Sequence, residues 1–182
     1  MSLKLIKIPK SDAFLREKMG IHYSKPKGFV GRSICYQVVY NNDIYGVICG
    51  GSATLYLPGR NEFFSIPKGG KFLNNIVNNI FYHIEPIEGK YPIRNFTTYV
   101  LSKWREQIMF DWKDKYGDDV MGFESLVELP RSGELYKRDN WFLVGQTKGF
   151  QVKRPGGVGS DGWSGRRQWI TDILRPKLVF CR

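Results

Sequence analysis

The longest periodic run of apolar positions lies in the middle of the chain. Its members keep helical spacing over four turns and are Phe96, Val100, Leu101, Trp104, Ile108 and Trp112. Such spacing is typical of one face of an amphipathic helix. Asn95 precedes the run and Gly117 follows it, as expected for the start and the end of a helix. The pattern predicts the longest helix of the chain between these two residues.

A different pattern precedes this helix. Two runs rich in β-branched and aromatic residues, within 34–48, flank Asn41, Asn42 and Asp43, which tolerate the tight backbone of a hairpin. Gly50 and Gly51 end the second strand, and 54–57 and 62–66 read as further short extended segments. The sequence therefore predicts an antiparallel hairpin early in the chain.

The remaining segments alternate between the two periodicities. A first helix is predicted from Ser11 to Gly20, and an apolar stripe predicts a second helix over 72–80. Further strands are expected at 80–84, 120–129, 141–145 and 178–180, with a short helix at 132–139. Helices and strands thus alternate, but the hairpin excludes a purely parallel sheet. We predict an α+β fold.

Length and composition indicate one globular domain over 1–182. With 182 residues, 42% of them hydrophobic, the chain can bury a core, and it lacks the run of about 20 apolar residues that a membrane-spanning helix needs. The N-terminus has no apolar run typical of a signal peptide, so we expect a cytoplasmic protein and no membrane partner. Cys35, Cys49 and Cys181 are too widely spaced for a disulfide framework or a metal knuckle, and no metal site is predicted.

The charge balance points to a polyanionic partner. There are 28 Lys and Arg against 17 Asp and Glu, a formal net charge of +11. A solubilising surface is the alternative explanation, but nucleic acid is favoured because solubility needs no such excess. The glycine-rich segment 155–165 is predicted to be a flexible loop, with Trp163 inside it and Arg154, Arg166 and Arg167 beside it. It suits a phosphate-binding and base-stacking arm as well as a plain connection.

Two further patterns bear on chemistry. The match to GxGxxG at Gly157–Gly162 lacks a following helix and is read as accidental. Glu124 interrupts an apolar strand, and Tyr136 and Asn140 lie four apart on the predicted short helix. If the strand opens into a cleft, Glu124 could accept a proton and Tyr136 could donate one; the alternative for Glu124 is an ion pair with Lys137 or Arg138.

A series of motifs recurs in order over 31–149 and resembles the domain of Druantia-type anti-phage proteins. In chain order they are FLNNIVNN at 72–79, Asn95, Val100-Leu101-Ser102, Asp111-Trp112, Tyr116-Gly117, Glu124-Ser125-Leu126-Val127, Gly133, Tyr136, Asn140-Trp141 and Val144-Gly145-Gln146-Thr147-Lys148-Gly149. The segment 136–145 and the upstream His22-Tyr23-Ser24-Lys25-Pro26 also resemble the phage Mom proteins, which modify DNA adenine to evade restriction. Both groups imply a GNAT-like acyltransferase fold.

The resemblance implies a mixed, largely antiparallel central sheet with helices on both faces and a splayed strand pair at the active site. The start of the long helix would receive the donor, at Arg94, Asn95 and Thr97. No glycine-rich pyrophosphate loop stands between Pro86 and Asn95, so the donor is left open between acyl-coenzyme A and another activated acyl group. The chain departs from the Druantia-type domain at two places. Ile80 stands where an arginine is expected in that domain, and Lys137-Arg138-Asp139 stand where small residues are usual.

The resulting hypothesis is a DNA-base-modifying transferase acting on an exocyclic amine of DNA, most simply that of adenine. Catalysis is assigned to Glu124 as base and Tyr136 as acid, with Ser125 and Asn140 beside them, in one shared cavity. Trp141, Trp163 or Tyr23 would support a flipped base. The DNA-binding residues are expected to be His22, Tyr23, Lys25, Lys27, Arg32, Arg154, Trp163, Arg166 and Arg167. The alternative is a non-enzymatic nucleic-acid-binding protein of a phage or of a defence system.

Overall fold

A computed structural model describes residues 2–67, 72–149, 151–153, 168–170 and 175–182. The strands are β1 (Leu3–Ile8), β2 (Ser33–Tyr40), β3 (Asp43–Ser52), β4 (Ile76–Ile84), β5 (Gly122–Glu128), β6 (Phe142–Gln146), β7 (Gln151–Lys153), β8 (Gln168–Ile170) and β9 (Lys177–Cys181). The α-helices are α1 (Ala13–Ile21), α2 (Pro58–Phe63), α3 (Phe96–Tyr116) and α4 (Glu134–Arg138), and a 3₁₀ turn spans Leu73–Asn75. Among these described residues, no helix is long and apolar enough to cross a membrane.

Seven strands form one sheet in the order β1-β2-β3-β4-β5-β9-β6, and β7 pairs with β8 separately. All registered strand pairs are antiparallel except β4 with β5. Side chains alternate between the two sheet faces. Helix α3 packs Trp104 and Ile108 on one face, against Tyr36 of β2, whereas Leu15 of α1 packs on the other, against Cys35 of the same strand. The prediction of a mixed, largely antiparallel sheet with helices on both faces is confirmed.

Strands β4 and β5 separate after a short contact. Their parallel register covers only Ile76–Asn78 with Gly122–Glu124, although β4 continues to Ile84 and β5 to Glu128. On its other side β4 carries a bulge, because Asn79 faces Gly50 and Phe81 faces Cys49, which leaves Ile80 without a register partner in β3. The sheet is therefore open between β4 and β5 at the point where β4 bends.

Several predictions from the sequence hold. Helix α3 begins after Asn95 and ends before Gly117, and β2 and β3 form the hairpin around Asn41 and Asn42, both of which have positive φ. The strands predicted at 120–129, 141–145 and 178–180 correspond to β5, β6 and β9. These elements were found because caps and turn residues marked their ends.

Three predictions are wrong. The helix expected over 72–80 is a single 3₁₀ turn followed by β4, whose first four residues are all buried and so show no alternation that would reveal a strand. The extended segment expected at 62–66 begins inside α2. Asp12 rather than Ser11 caps α1, its carboxylate accepting a hydrogen bond from the Leu15 amide at 2.9 Å.

Candidate active site

The gap between β4 and β5 opens into a cleft of about 440 Å³. Asn79 and Tyr82 line it from β4, and Val127 lines it from β5. The segment after α1 contributes His22, and α4 contributes Tyr136. Because the strands on either side no longer pair, the cleft connects the α1 side of the sheet with the α3 side.

Tyr136 and Asn79 line the cleft, and Asn79 is hydrogen-bonded to both Tyr136 and Ser125 of β5. The Tyr136 hydroxyl donates a hydrogen bond to Asn79 Oδ1 at 2.8 Å, and Ser125 Oγ lies 3.4 Å from the Asn79 carbonyl oxygen. Burial raises the pKa of Tyr136, and the neighbouring Ser125 hydroxyl opposes this shift. Tyr136 is thus protonated at neutral pH and can act as a proton donor. The structure brings together the predicted residues Tyr136 and Ser125.

A second pair of polar side chains stands on the α1 side. Nδ1 of His22 lies 2.8 Å from Ser24 Oγ and also accepts a hydrogen bond from the Ser24 backbone N–H at 3.3 Å. The pKa of His22 is lowered to about 4, first by burial and then by His83 and Arg131, and opposed by a hydrogen bond with the Tyr82 backbone. The imidazole is therefore neutral at pH 7, with Nδ1 available to accept a proton from the Ser24 hydroxyl.

The mouth of the cleft is aromatic and basic. The Arg131 guanidinium lies 3.4 Å from the centre of the Tyr23 ring, a stacked arrangement typical of arginine on an aromatic face. Lys25 and Lys27 are exposed on the same segment. Arg32, predicted as a DNA contact, is instead bound by the carboxylate of Asp118 and lies over the Tyr116 ring. Of the residues predicted to bind DNA, His22 and Tyr23 line the cleft.

Glu124 does not share this cleft with Tyr136, so that expectation is wrong. Its side chain is fully buried in an ion pair with Arg60 of α2, and its Oε1 accepts the Thr54 amide at 2.7 Å. Glu124 and Leu126 are two residues apart on β5, so their side chains share one face of the sheet. Tyr136 packs on Phe180, on the opposite face of the sheet. Burial raises the pKa of Glu124, and Arg60 opposes the shift. The alternative ion pair with Lys137 or Arg138 is also wrong.

Two further predictions near α4 fail. The helix ends at Arg138, so Asn140 does not lie on its face with Tyr136; it is exposed, with a φ of 58°. Trp141 is 4% exposed and its Nε1–H donates to Asp139 at 2.8 Å, which leaves no ring face for a flipped base. Arg105 of α3 binds the same carboxylate through two hydrogen bonds of 3.0 Å. This network fixes α4 to α3.

One hydrogen bond links the start of α3 to a residue that lines the cleft. The Tyr82 hydroxyl, from β4, donates to the Thr97 carbonyl at 2.8 Å. Asn95 has a left-handed φ of 57° and makes no side-chain cap, so its side chain does not occupy the first-turn amides. Exposed amides at a helix start favour an anion. Arg94, Asn95 and Thr97 therefore lie at a helix start that is linked to the cleft through Tyr82, although none of the three lines it.

Several predicted residues cannot be placed. Arg154, Trp163, Arg166, Arg167, the segment 155–165 and the GxGxxG match lie outside the described residues. Within the described ranges, no group of three or more His, Cys, Asp or Glu side chains is arranged to hold a metal ion. The sequence analysis missed Asn79 as a hydrogen-bond partner of Tyr136, and it missed Ser24 and Arg131. Asn79 and Ser24 stand inside motifs already noted, but nothing in the sequence identified Arg60 as the partner of Glu124.

Comparison with solved structures decides the fold. An acetyltransferase from Bacillus subtilis in complex with CoA is similar at a TM-score of 0.57 and 10% identity, over 99% of this chain and 97% of that one. A GNAT family acetyltransferase from Elizabethkingia anophelis with acetyl-CoA bound is similar at 0.53 and 9% identity, over 98% and 96%. The fold is that of the GNAT acetyltransferases.

A third similar structure is an IAA acetyltransferase from Bacillus cereus, at a TM-score of 0.52 and 10% identity, over 99% of this chain and 98% of that one. No family model and no curated protein sequence matches the chain. The GNAT-like part of the resemblance is thus confirmed, whereas the likeness to Mom and Druantia-type proteins stays a prediction from the motifs. Structural likeness over nearly the whole of both chains establishes the GNAT fold, but at identities near 10% it does not establish the substrate.

Proposed function

We propose that this protein transfers an acyl group from an acyl-CoA thioester to an exocyclic amine of DNA, most simply that of adenine. The observation that carries the proposal is the cleft between β4 and β5, which contains the Tyr136 hydroxyl and is linked to the start of α3 by Tyr82. A separation of two central strands in an otherwise continuous sheet leaves backbone groups of β4 available to a ligand instead of to β5. An extended donor fits such a gap.

The donor half of the proposal is supported by the two similar structures that hold CoA or acetyl-CoA. In this chain the phosphates would meet the first-turn amides of α3, with Arg94 beside them. The thioester would lie deeper, near Asn79 and Tyr136. No glycine-rich loop precedes α3, so helix amides and Arg94 would carry more of the phosphate binding here.

The reaction can be written with the groups that line the cleft. The amine nitrogen attacks the thioester carbonyl carbon, a C–N bond forms and the C–S bond breaks. Tyr136 donates its proton to the departing sulfur, and the amine proton passes through the Ser24 hydroxyl to Nδ1 of His22. A pKa near 4 makes His22 a weak base, but the nitrogen becomes acidic as it attacks, and an anionic ligand beside the ring raises this pKa.

The acceptor half is supported by charge and by the cleft mouth. A net charge of +11 attracts a polyanion, and the stacked Tyr23 and Arg131 offer a flat surface to a base. A base within duplex DNA must leave the stack before an enzyme can reach its amine. In this proposal the Arg131–Tyr23 pair takes the stacking role for which Trp141 is too deeply buried, and His22 takes the proton from the amine instead of Glu124.

Mass spectrometry of nucleosides tests the proposal. DNA from cells that express the protein should contain a nucleoside of increased mass, and Tyr136→Phe should lower its yield by about 100-fold or more because the acid is lost. Expression and melting temperature of the variant serve as controls for folding. DNA binding by the wild type without any nucleoside of increased mass would refute the enzyme and favour the non-enzymatic nucleic-acid-binding protein.

A further inference from the structure

A second and larger cavity, of about 870 Å³, lies next to the cleft. We call it the β6 groove; it runs between α2 and the edge formed by β6 and β9, and Tyr56, Gly59, Gly145, Lys148, Arg175 and Lys177 line it. Ser24, Glu128 and Lys177 line both cavities. The groove is therefore a continuation of the cleft mouth along the sheet edge.

The chemistry of the β6 groove is cationic and aromatic. Three cationic side chains line the groove, those of Lys148, Arg175 and Lys177, against one carboxylate, that of Glu128, which lies 3.9 Å from the Arg175 guanidinium. In the described part of the chain neither lysine has an ion-pair partner. Tyr56 lines the groove and is 76% exposed. Cations for phosphates and a ring for base stacking are the two elements of a single-strand binding site.

The floor of the groove is rigid. A Cβ on Gly59 would stand 2.1 Å from the Val144 carbonyl oxygen, so the backbone of α2 touches that of β6 directly. Leu57, Val179 and Cys181 form a buried cluster beneath. Tyr56 lies two residues before α2 and Lys148 two residues after β6, so this packed floor positions the backbone that carries both side chains.

We propose that the β6 groove binds the DNA strand that flanks the acceptor base, with phosphates on Lys148, Arg175 and Lys177 and one base stacked on Tyr56. This inference rests on the proposed function, since the cleft would hold the acceptor base while the groove holds its neighbours. An unpaired strand is favoured because a ring can stack on a base only where the base is not already paired and stacked.

Fluorescence anisotropy with a labelled 12-nucleotide single strand and the matching duplex tests the inference. Tyr56→Ala should weaken single-strand binding about tenfold or more. Lys148→Ala should weaken binding and reduce the slope of log K against log salt by about 0.7. The matched controls are Phe110→Ala, 75% exposed on α3, and Lys4→Ala on β1, the opposite sheet edge; both should bind within twofold of the wild type.

The outcomes separate this inference from the proposed function. If the wild type modifies DNA while Tyr56→Ala and Lys148→Ala bind the single strand as tightly as their controls, the groove assignment is overturned and the transferase stands. If both variants lose affinity but no nucleoside changes mass, the groove stands and the transferase fails. A wild type that binds no oligonucleotide overturns the groove outright.

Discussion

Replacing Glu124 by glutamine removes the negative charge from a pair whose two side chains are both fully buried. The Arg60 guanidinium would then stay buried between α2 and β5 without a negative partner. Its other contacts persist, with Nη2 donating to the Thr54 carbonyl at 2.6 Å and Nε to Asn61 Oδ1 at 2.6 Å, but neither partner is charged. Glu124→Gln is therefore a stability variant, whereas a catalytic base would show lost turnover at unchanged stability.

The size of the effect follows from the burial. Removing one partner of a buried ion pair destabilises a protein by about 3–5 kcal/mol. For a domain of 150–250 residues, 1 kcal/mol corresponds to about 2–4 °C in melting temperature, so Glu124→Gln should melt roughly 6–20 °C below the wild type. Glu128→Gln is the matched control on the same strand, because Glu128 lies 3.9 Å from Arg175 and keeps solvent access. This variant should lose less than about 1 kcal/mol of its free energy of unfolding.

Thermal unfolding followed by circular dichroism measures both variants, and a double-mutant cycle isolates the pair. Arg60→Met combined with Glu124→Leu should be less destabilised than the sum of the two single changes, since the double variant leaves no unpaired charge. The reasoning would be refuted by a Glu124→Gln protein that melts within about 2 °C of the wild type, or by a cycle with no coupling.

Two other predictions concern stability. The pKa of His22 is lowered to about 4, so folding favours the neutral imidazole. The contribution of His22 to the free energy of unfolding is therefore complete above about pH 6.5 and is lost as the pH falls toward 4. Urea denaturation should show a loss of about 2 kcal/mol from pH 7.5 to 5 that His22→Phe lacks; an equal loss in both proteins would contradict this. Gly46→Ala should destabilise by about 2 kcal/mol or more, because φ is 146° and the new Cβ would stand 2.0 Å from the His83 carbonyl oxygen. Gly20→Ala, with nothing within 4 Å, is its control in the same thermal melt and should be neutral or stabilising; equal melting temperatures for the two variants would show the argument to be wrong.

Local signals predicted much of the fold. Helix α3 was found from its apolar stripe and from Asn95 and Gly117 at its ends, and the β2–β3 hairpin from its turn. Strand β4 was mistaken in part for a helix because a strand buried on both faces has no alternation, and apolar residues four apart fit either element. Helix α2 carried a usable signal, proline in its first turn, which was not recognised.

The site depended on contacts that are distant in sequence. Tyr136 was predicted to be catalytic, but its partner Asn79 is 57 residues away, and Arg60 is 64 residues from Glu124. Which face of β5 each side chain occupies is set by pairing with β4 and β9, and a shift of one residue would exchange the faces. The order of the motifs identified residues near the site. Only the strand pairing in the structure shows that Glu124 belongs to a buried ion pair and not to the cleft.

Calorimetric titration with acetyl-CoA and with CoA tests most directly whether the gap between β4 and β5 is a donor site. The account predicts one binding site per chain, with Tyr136→Phe binding as tightly as the wild type because the hydroxyl acts on the departing sulfur and not on binding. A folded wild type that binds neither compound would contradict the account.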